Sequence, residues 1–485
     1  LEPNVTAFPK NQGEELFGKF DTNLDGFRGP IHLLGIGGIG MSALARLLLG
    51  RGVTVSGSDK SESDITRDLT KLGATVFIGH DSANVKSARA VAISTAIDSE
   101  NPELSWARQN NIPIWHRSQL LSALANHKQV VAVSGTHGKT TTTGMIAQIL
   151  IDCQIDPTVV IGGIFAKIGA NAKVGAGEFF VAESDESDGT HAHLKSSVAV
   201  VTNIEGDHLE NYPGGIEQIY ETMARFANNA SKFVLLCHDD PGCRAIAPKL
   251  KPKVIWYGKN NVAAPLNYSY ISGAGTMFMV LKDGKELGQI SLSVPGEHNQ
   301  ANALAALAVA LESGLKFENA AKSLSNFCGV NRRFQHMGEA KGIRVVDDYA
   351  HHPTEIAATL KAARQFVDGL PNKDKGEHRI VALFQPHQPR RLKDFWEAFC
   401  QSFSEADLLF VSDIYVARGK QIAGVSSTDF VSQVAHKNAR YLEGTTNELA
   451  AKLAPYLQAG DLVITIGAGD VTDVGNQLLQ ILSEK

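Results

Sequence analysis

The chain has 485 residues, enough for about three domains that each bury a core of their own. Hydrophobic residues make up 43% and charged residues 20%, which excludes a disordered or fibrous chain. A net charge of −5 without a basic run argues against nucleic acid or an anionic membrane as a partner. Five scattered cysteines (Cys153, Cys237, Cys243, Cys328 and Cys400) form no C-x-x-C pair and imply neither a disulfide framework nor zinc; reduced thiols in a cytoplasmic protein are the expectation. The first thirty residues are polar and charged, and no apolar stretch reaches the ~18 residues of a membrane span.

After an irregular leader, the first domain is expected over residues 1–127. Ile31–Gly40 reads as an apolar strand entering a glycine turn (Gly35, Gly37, Gly38, Ile39, Gly40), with a helix beginning near Met41. A second strand, Val53–Asp59, ends in an acid about twenty residues after the glycines, where a ribose-binding carboxylate sits in a Rossmann unit. A tight strand-to-helix turn is the plainer alternative, since such glycine fingerprints are weak alone. Further strands are expected at Ala74–Ile78, Ala90–Ser94 and Ile112–Trp115. Two of them end in polar tips, Ser94-Thr95 and His116-Arg117, at carboxyl ends where open α/β sheets bind ligands. A nucleotide-type ligand distinct from ATP is the sharper reading.

The second domain, over residues 128–329, opens on the stretch around which the chain is organised. A β-branched strand at Val130–Val133 runs into Gly135, Thr136, His137, Gly138, Lys139, Thr140 and Thr141, and an apolar helix follows. Glycines let the backbone turn tightly and present N–H groups to a polyanion, and the helix N-terminus adds its positive dipole end. Lys139 is placed for the β/γ-phosphates of ATP and the Thr140 hydroxyl for Mg²⁺. The spacing G-x-x-G-K-T is two residues shorter than the usual phosphate loop, with Val133 where the first glycine would stand.

Two more strand ends converge on this loop: Glu178–Glu183, continuing into Ser184–Asp188, and Ser197–Asn203, continuing into Asp207-His208. Glu183 and His208 are candidate metal ligands with Thr140, the histidine being the atypical choice for magnesium. At least two of Asp185, Glu186 and Asp188 are read as a solvated acidic turn. Farther on, Pro295-Gly296 precedes a small-residue helix carrying Asn299 and Asn302 on one face, suited to adenine, with His298 able to stack on a base; helix capping by Asn299 is the plain alternative.

The third domain, over residues 330–485, restarts the α/β pattern with strands at Arg344–Val346, Arg379–Phe384, Leu408–Ser412 and Leu462–Ile466. Polar groups gather at Arg332-Arg333, Asp347-Asp348, His351-His352 and His387–Arg391. Adjacent histidines on a strand point to opposite faces, so His351 and His352 share an ion only from a loop; substrate contact is as good a reading.

Taken together, IHLLGIGGIGMSALA, SGTHGKTTTT, VAESDESD, TNIEGDHLE, GEHNQANALAA, RRF, VDDYAHHPTE and FQPH resemble the Mur ligases over nearly the whole chain, and within them the alanine-adding branch. The resemblance implies three α/β domains: a Rossmann-like N-terminal domain binding the UDP of UDP-N-acetylmuramate, a phosphate-loop domain binding ATP, and a Rossmann-like C-terminal domain bringing L-alanine and closing the site. It implies an amide-forming ligase of peptidoglycan precursor synthesis that moves the γ-phosphoryl of ATP onto the lactyl carboxylate. The alanine amine then attacks the acyl phosphate, so catalysis is positioning and charge neutralisation.

By the same resemblance Lys139 holds phosphates, Thr140 and Glu183 ligate a first Mg²⁺, and His208 ligates a second. Asn299 and Asn302 contact adenine, while Arg333 and Asp348 complete the site from the third domain, their neighbours Arg332 and Asp347 fitting less well. The nucleotide sugar falls to Gly35–Gly40, Asp59, Ser94, Thr95, His116 and Arg117, and the amino acid to His351, His352 and Arg391. A monomer or weak homodimer is implied. No lysine occurs between Asn211 and Ala230, where sister ligases carry a carbamylated one, and this fits the alanine-adding branch. FQPH is followed by Gln388-Pro389-Arg390-Arg391 rather than by arginine directly, which leaves Arg390 or Arg391 to hold the amino-acid carboxylate. A tripeptide-adding recycling ligase and a non-catalytic UDP-sugar sensor stay open as alternatives; a plain NAD dehydrogenase leaves the phosphate loop unexplained.

Overall fold

The computed structural model describes Leu24, Phe27 and residues 29–260, 266–370, 378–416 and 421–484, so the expected leader lies almost wholly outside the described residues. Contacts divide the chain into two units. The first is Leu1–Ile271 with Val280–Gly288 and Ala301–Leu324; the second is Ser272–Met279, Gln289–Gln300 and Ser325–Lys485.

The first unit holds two lobes. The N-terminal lobe alternates β1 (Ile31–Leu34), α1 (Ile39–Gly50), β2 (Val55–Asp59), α2 (Asp64–Lys71), β3 (Thr75–Ile78), β4 (Ala90–Ile93), α3 (Pro102–Gln109), β5 (Ile114–His116) and α4 (Arg117–Ala125). Its strands are all parallel, in the order β3-β2-β1-β4-β5. Chain direction across the sheet reverses between β1 and β4, which opens a crevice at their carboxyl ends. The glycine turn follows β1 and Ser94-Thr95 follow β4, so both stand at that crevice.

One face of this sheet covers a buried carboxylate. Glu103 on α3 is 0% exposed and accepts from the Ser58 hydroxyl, from Asn84 Nδ2 (2.8 Å) and from the His80 ring (Nδ1, 3.1 Å). Burial pushes its pKa up, but bonds from His32, Ser58 and Asn84 outweigh it and bring the value down to about 2. A depressed carboxyl stabilises the fold above its unfolded pKa and loses that contribution as pH falls toward the folded one. Glu103→Ala is expected to cost about 3 kcal/mol at neutral pH, because three donors lose their acceptor. Urea unfolding checks this: the gap between wild type and variant should narrow steadily as pH drops below about 4.

The second lobe is built on β6 (Gln129–Ser134), α5 (Lys139–Asp152), β7 (Thr158–Phe165), β8 (Ala170–Lys173), β9 (Phe179–Glu183), β10 (Ser196–Val201), α6 (Gly215–Asn228), β11 (Ala230–Cys237), α7 (Pro241–Ile246), β12 (Lys253–Lys259) and β13 (Tyr268–Ser272). Eight strands of a ten-stranded sheet run β13-β12-β11-β10-β6-β9-β7-β8. β6 lies between β9 and β10, parallel to both, because all three are apolar runs buried on both faces. The three strand ends named in the sequence therefore share one edge. The β7–β8 hairpin, not expected from sequence, reaches the N-terminal lobe: Asn171 Nδ2 donates to Ile39 O (2.6 Å) and to Ser42 Oγ (2.8 Å) in the first turn of α1. After β14 (Met277–Lys282) and β15 (Lys285–Ser291) come α8 (Glu297–Glu312) and α9 (Phe317–Ser325).

The second unit carries β16 (Gln335–Ala340), β17 (Ile343–Asp348), α10 (Pro353–Asp368), β18 (Ile380–Phe384), α11 (Pro389–Asp394), α12 (Trp396–Gln401), β19 (Leu408–Val411), α13 (Ser427–Gln433), β20 (Ala439–Tyr441), α14 (Thr446–Leu453), β21 (Leu462–Ile466) and α15 (Thr472–Glu484). The sheet order is β16-β17-β21-β18-β19-β20, parallel except at the β16 edge. Strand alternation divides the core in two. Val346, Ala382, Phe384 and Ile464 face the aromatic cluster of Phe399, Phe403 and Phe430, while Val345, Val381, Leu383 and Val463 face Leu449, Leu453 and Leu478. All five cysteines are free, and no helix among the described residues is long and apolar enough to cross a membrane.

Candidate active site

In the first unit the phosphate loop leaves β6 at Ser134 and enters α5 at Lys139. Gly135 (φ +127°) has no room for a side chain: a Cβ would stand 2.2 Å from Thr202 Oγ1. Gly138 (φ +80°) is confined in the same way by Asn302 Oδ1 at 2.6 Å. The end of β10 braces the loop through four bonds: Thr136 N to Asn203 O (3.0 Å), His137 N to Asn203 Oδ1 (2.8 Å), Thr202 Oγ1 to His137 O (2.6 Å) and Asn203 Nδ2 to His137 O (3.1 Å). Thr202 and Asn203 were not singled out in sequence, although their place at the end of a buried parallel strand beside the loop was a usable signal. Asn302 accepts from Thr142 Oγ1 (3.2 Å), which sets its carboxamide against the loop.

Lys139 Nζ donates to Gly135 O (2.6 Å) and Thr136 O (2.9 Å) and pairs with Glu186 Oε2 at 2.8 Å. Burial opposes the ammonium, yet Glu186, Asp185 and Glu183 outweigh it and raise its pKa, so it stays charged. Thr140 Oγ1 donates to Glu183 Oε1 (3.0 Å), whose Oε2 is fixed by Gly162 N (2.6 Å). Two oxygen donors this close are what a hard divalent cation prefers. His208 sits in a left-handed conformation (φ +54°), its Nε2 3.6 Å from Asp207 Oδ2. Such backbone geometry in a non-glycine residue is uncommon and gathers at functional sites.

The expectation of a solvated acidic turn fails. The Glu186 and Asp188 side chains are 8% and 5% exposed, and Asp185 binds Arg117 Nη2 at 2.9 Å. Burial drives the Glu186 pKa up to about 7, against the pull of Lys139. Burial also opposes ionisation of Asp185, but Arg117 and then Lys139 hold it well below the usual carboxylate range. The turn is ionic because each acid finds a cation from a distant segment.

At the N-terminal crevice, Gly38 N closes the turn on Gly35 O (3.0 Å), and Gly37 N donates to Asp59 Oδ2 (2.9 Å). Asp59 therefore braces the glycine turn through one oxygen. Ser94 Oγ accepts from Ala96 N (3.3 Å) and shapes the loop after β4, while Thr95 Oγ1 reaches Asp188 Oδ2 at 3.3 Å. Burial lowers His116 to about 4, so it is neutral near pH 7.

In the second unit, the adjacent duplicates separate cleanly. Asp347, 0% exposed, accepts from Thr465 Oγ1 (2.6 Å) and Thr472 Oγ1 (2.8 Å) and pairs with Arg332, whose Nη2 also donates to Gly467 O (2.6 Å) and Gly469 O (3.0 Å). That pair is structural. Asp348 points the other way, accepting from Phe334 N (2.7 Å) and Ala350 N (2.8 Å); burial pushes its pKa up to about 6 although Arg333 pulls it down. Arg333 lies over the Tyr349 ring (5.2 Å) and 3.7 Å from Glu355 Oε1.

The two histidines divide as well. His351 faces His387 (ring centroids 5.7 Å), which stacks on Tyr415; His352 is 5% exposed and packs on Phe395 at 4.6 Å. His351 is the more open of the two, with His352 buried beside Phe395. Arg390 is 70% exposed and paired with Asp394, while Arg391 is half-buried. Asn299, inside the first turn of α8, donates from Nδ2 to Pro295 O (2.6 Å), and His298 is exposed.

A glycine turn at a topological crevice and a lysine-threonine phosphate loop at the edge of a second parallel sheet define an α/β nucleotide-binding protein of the phosphate-loop class. The chain belongs to the Mur ligase family: residues 30–129 match the Mur ligase family catalytic domain, residues 133–310 the Mur ligase middle domain, and residues 332–469 the Mur ligase glutamate ligase domain. It is 42% identical over 458 residues to a UDP-N-acetylmuramate--L-alanine ligase of Myxococcus xanthus, covering 93% of this chain and 95% of that protein. A protein of the same name from Trichlorobacter lovleyi is 43% identical over 457 residues, covering 93% and 98%. Among solved structures, the UDP-N-acetylmuramate-alanine ligase MurC of Thermotoga maritima superposes with a TM-score of 0.80 at 29% identity, covering 94% of this chain and 100% of that one.

Proposed function

We infer that the protein is an ATP-dependent amide-forming ligase that joins L-alanine to the lactyl carboxylate of UDP-N-acetylmuramate, a step in building peptidoglycan precursors. The observation that carries this reading is the Lys139, Thr140 and Glu183 constellation in a chain more than 40% identical to alanine-adding ligases over nearly its whole length. A carboxylate is a poor electrophile, so the γ-phosphoryl of ATP passes to the lactyl oxygen with ADP leaving. The alanine nitrogen then attacks the acyl carbon, loses its proton, and phosphate departs. Lys139 neutralises the β/γ-phosphates, and the backbone of the braced loop orients them. Thr140 and Glu183 fit a Mg²⁺ ion, with His208 assigned to a second; such ions spread the phosphate charge.

We assign adenine recognition to Asn302, with Asn299 and His298, and the nucleotide sugar to the N-terminal crevice with Gly35–Gly40, Asp59, Ser94, Thr95, His116 and Arg117. Arg333 and Asp348 are given catalytic roles, and His351 with Arg391 the amino acid. The domain roles follow: residues 1–127 for UDP-sugar, 128–329 for ATP and 330–485 for alanine.

Phosphate release with ATP, Mg²⁺, UDP-N-acetylmuramate and each amino acid in turn is the test. Release with alanine supports the ligase; release with a tripeptide alone moves the assignment to a recycling enzyme, and silence with both to a UDP-sugar sensor. Because one methyl group is worth only ~1–3 kcal/mol, glycine should be accepted at a kcat/KM about 10–200-fold below alanine. Rejection of glycine by more than about a thousandfold contradicts a pocket that reads the methyl alone.

A further inference from the structure

Asp188 gathers three groups from across the lobe boundary. Its Oδ2 lies 3.3 Å from Thr95 Oγ1, 3.4 Å from Arg117 Nη2 and 3.7 Å from His116 Nε2, in a position that leaves the side chain 5% exposed. Thr95 follows β4, His116 ends β5 and Arg117 opens α4, so all three stand at carboxyl ends of the N-terminal sheet. Arg117 is held by two carboxylates on the same nitrogen, Asp185 at 2.9 Å and Asp188. Its other terminal nitrogen is thereby turned to the glycine turn, where Nη1 lies 3.7 Å from the place a Gly40 Cβ would occupy.

We propose that Asp188, with Asp185 beside it, is a positioning residue for the nucleotide sugar, fixing Arg117 across the mouth of the Gly35–Gly40 turn so that the diphosphate meets a preset cation. The proposal rests on the reading of the N-terminal crevice given above. A diphosphate seated on backbone N–H groups at the start of α1 gains a charge-assisted partner in Nη1. An unrestrained arginine samples many rotamers and loses that freedom on binding; one clamped by two carboxylates has already lost it. The clamp comes from the turn whose other acids, Glu183 and Glu186, serve Thr140 and Lys139, so one segment organises both nucleotide sites. Joining the lobes is a separate task, since Asn171 on β8 binds Ile39 and Ser42 of α1 directly.

The test is a double-mutant cycle on the full chain with Asp188→Asn, Arg117→Lys and the double variant, read by steady-state kinetics and by titration with UDP-N-acetylmuramate alone. Asp188→Asn should raise the Kd and KM for the nucleotide sugar about tenfold while leaving KM for ATP and for alanine within about twofold. The double variant should bind no more than about twofold worse than Arg117→Lys. Additive effects, or a rise of all three KM values with a lowered Tm, would mean a merely structural tie and overturn the proposal. No uptake of UDP-N-acetylmuramate by the wild type overturns the reading of the crevice and the proposal with it; uptake with an unaltered Asp188→Asn affinity overturns the proposal alone.

Discussion

Lys139→Ala should lower kcat by at least about 10³-fold and leave the fold nearly intact. The first half follows from where the ammonium sits. It is held at the mouth of the phosphate loop by two of the loop's own carbonyls, 2.6 and 2.9 Å away, and pairs with Glu186 at 2.8 Å. Because the surrounding carboxylates raise its pKa despite burial, it is charged throughout the working range, and no change of pH substitutes for the missing group. The second half follows from its partner. Removing one member of a buried pair is usually severe because a charge is stranded. Glu186, however, has a pKa pushed up to about 7 by burial even with Lys139 present, so without the lysine it takes up a proton instead of remaining a buried anion. The expected loss of stability is therefore only about 1 kcal/mol, that of a lost hydrogen bond. Phosphate release and thermal unfolding on the same preparation check both halves, and a collapse of Tm would show that Glu186 stays ionised.

What the sequence allowed to be read divides along physical lines. The phosphate loop was legible because strand, glycines, lysine and helix are contiguous, and local order specifies local geometry. Four of the six strands of the third domain were legible because their apolar runs are buried on both faces, as at Leu462–Ile466, while the half-exposed edge strands Gln335–Ala340 and Ala439–Tyr441 carry no such run. The acidic turn was misread because its partners are remote: Arg117 is 68 and 71 residues from Asp185 and Asp188, and Lys139 is 47 from Glu186. A run of acids looks alike in sequence whether it meets water or buried cations.

The duplicated Arg332-Arg333 and Asp347-Asp348 were ambiguous for another reason. On β17 neighbouring residues face opposite sides, and only the fold reveals that the Asp347 side holds Thr465, Thr472 and Arg332 while the Asp348 side holds Phe334 N and Ala350 N. His351 and His352 lie beyond that strand, in the loop before α10, where one faces His387 and the other packs onto Phe395. The β7–β8 hairpin escaped notice because Gly162 and Gly163 interrupt its apolar run, yet Gly162 N fixes one oxygen of Glu183.

Asp348→Asn should abolish most of the activity and reverse its effect on stability with pH. Burial raises this carboxyl from 3.8 to about 6 in the folded protein, only partly offset by Arg333 and by the Ala350 and Phe334 amides. A carboxyl with a raised folded pKa contributes its stability below its unfolded pKa and loses it as pH rises through the folded one. The ionised Asp348 thus weakens the fold above about pH 6 by roughly 2–3 kcal/mol, at 1.36 kcal/mol per unit. Asparagine removes that penalty while keeping an acceptor for Ala350 N, and presents an amide to Phe334 N at a cost of about 1–2 kcal/mol. The variant should therefore unfold at equal or higher denaturant than wild type near pH 8, and at lower denaturant near pH 4, where wild-type Asp348 is protonated and carries no charge penalty. Turnover should fall by about 10²-fold or more, as expected of a charged group kept in a destabilising position because the reaction uses it. The wild-type kcat/KM should decline below about pH 6 as Asp348 is protonated, and the residual activity of the asparagine variant should lack that limb. A variant that is less stable at both pH values, or that retains the acidic limb, would place the ionisation elsewhere.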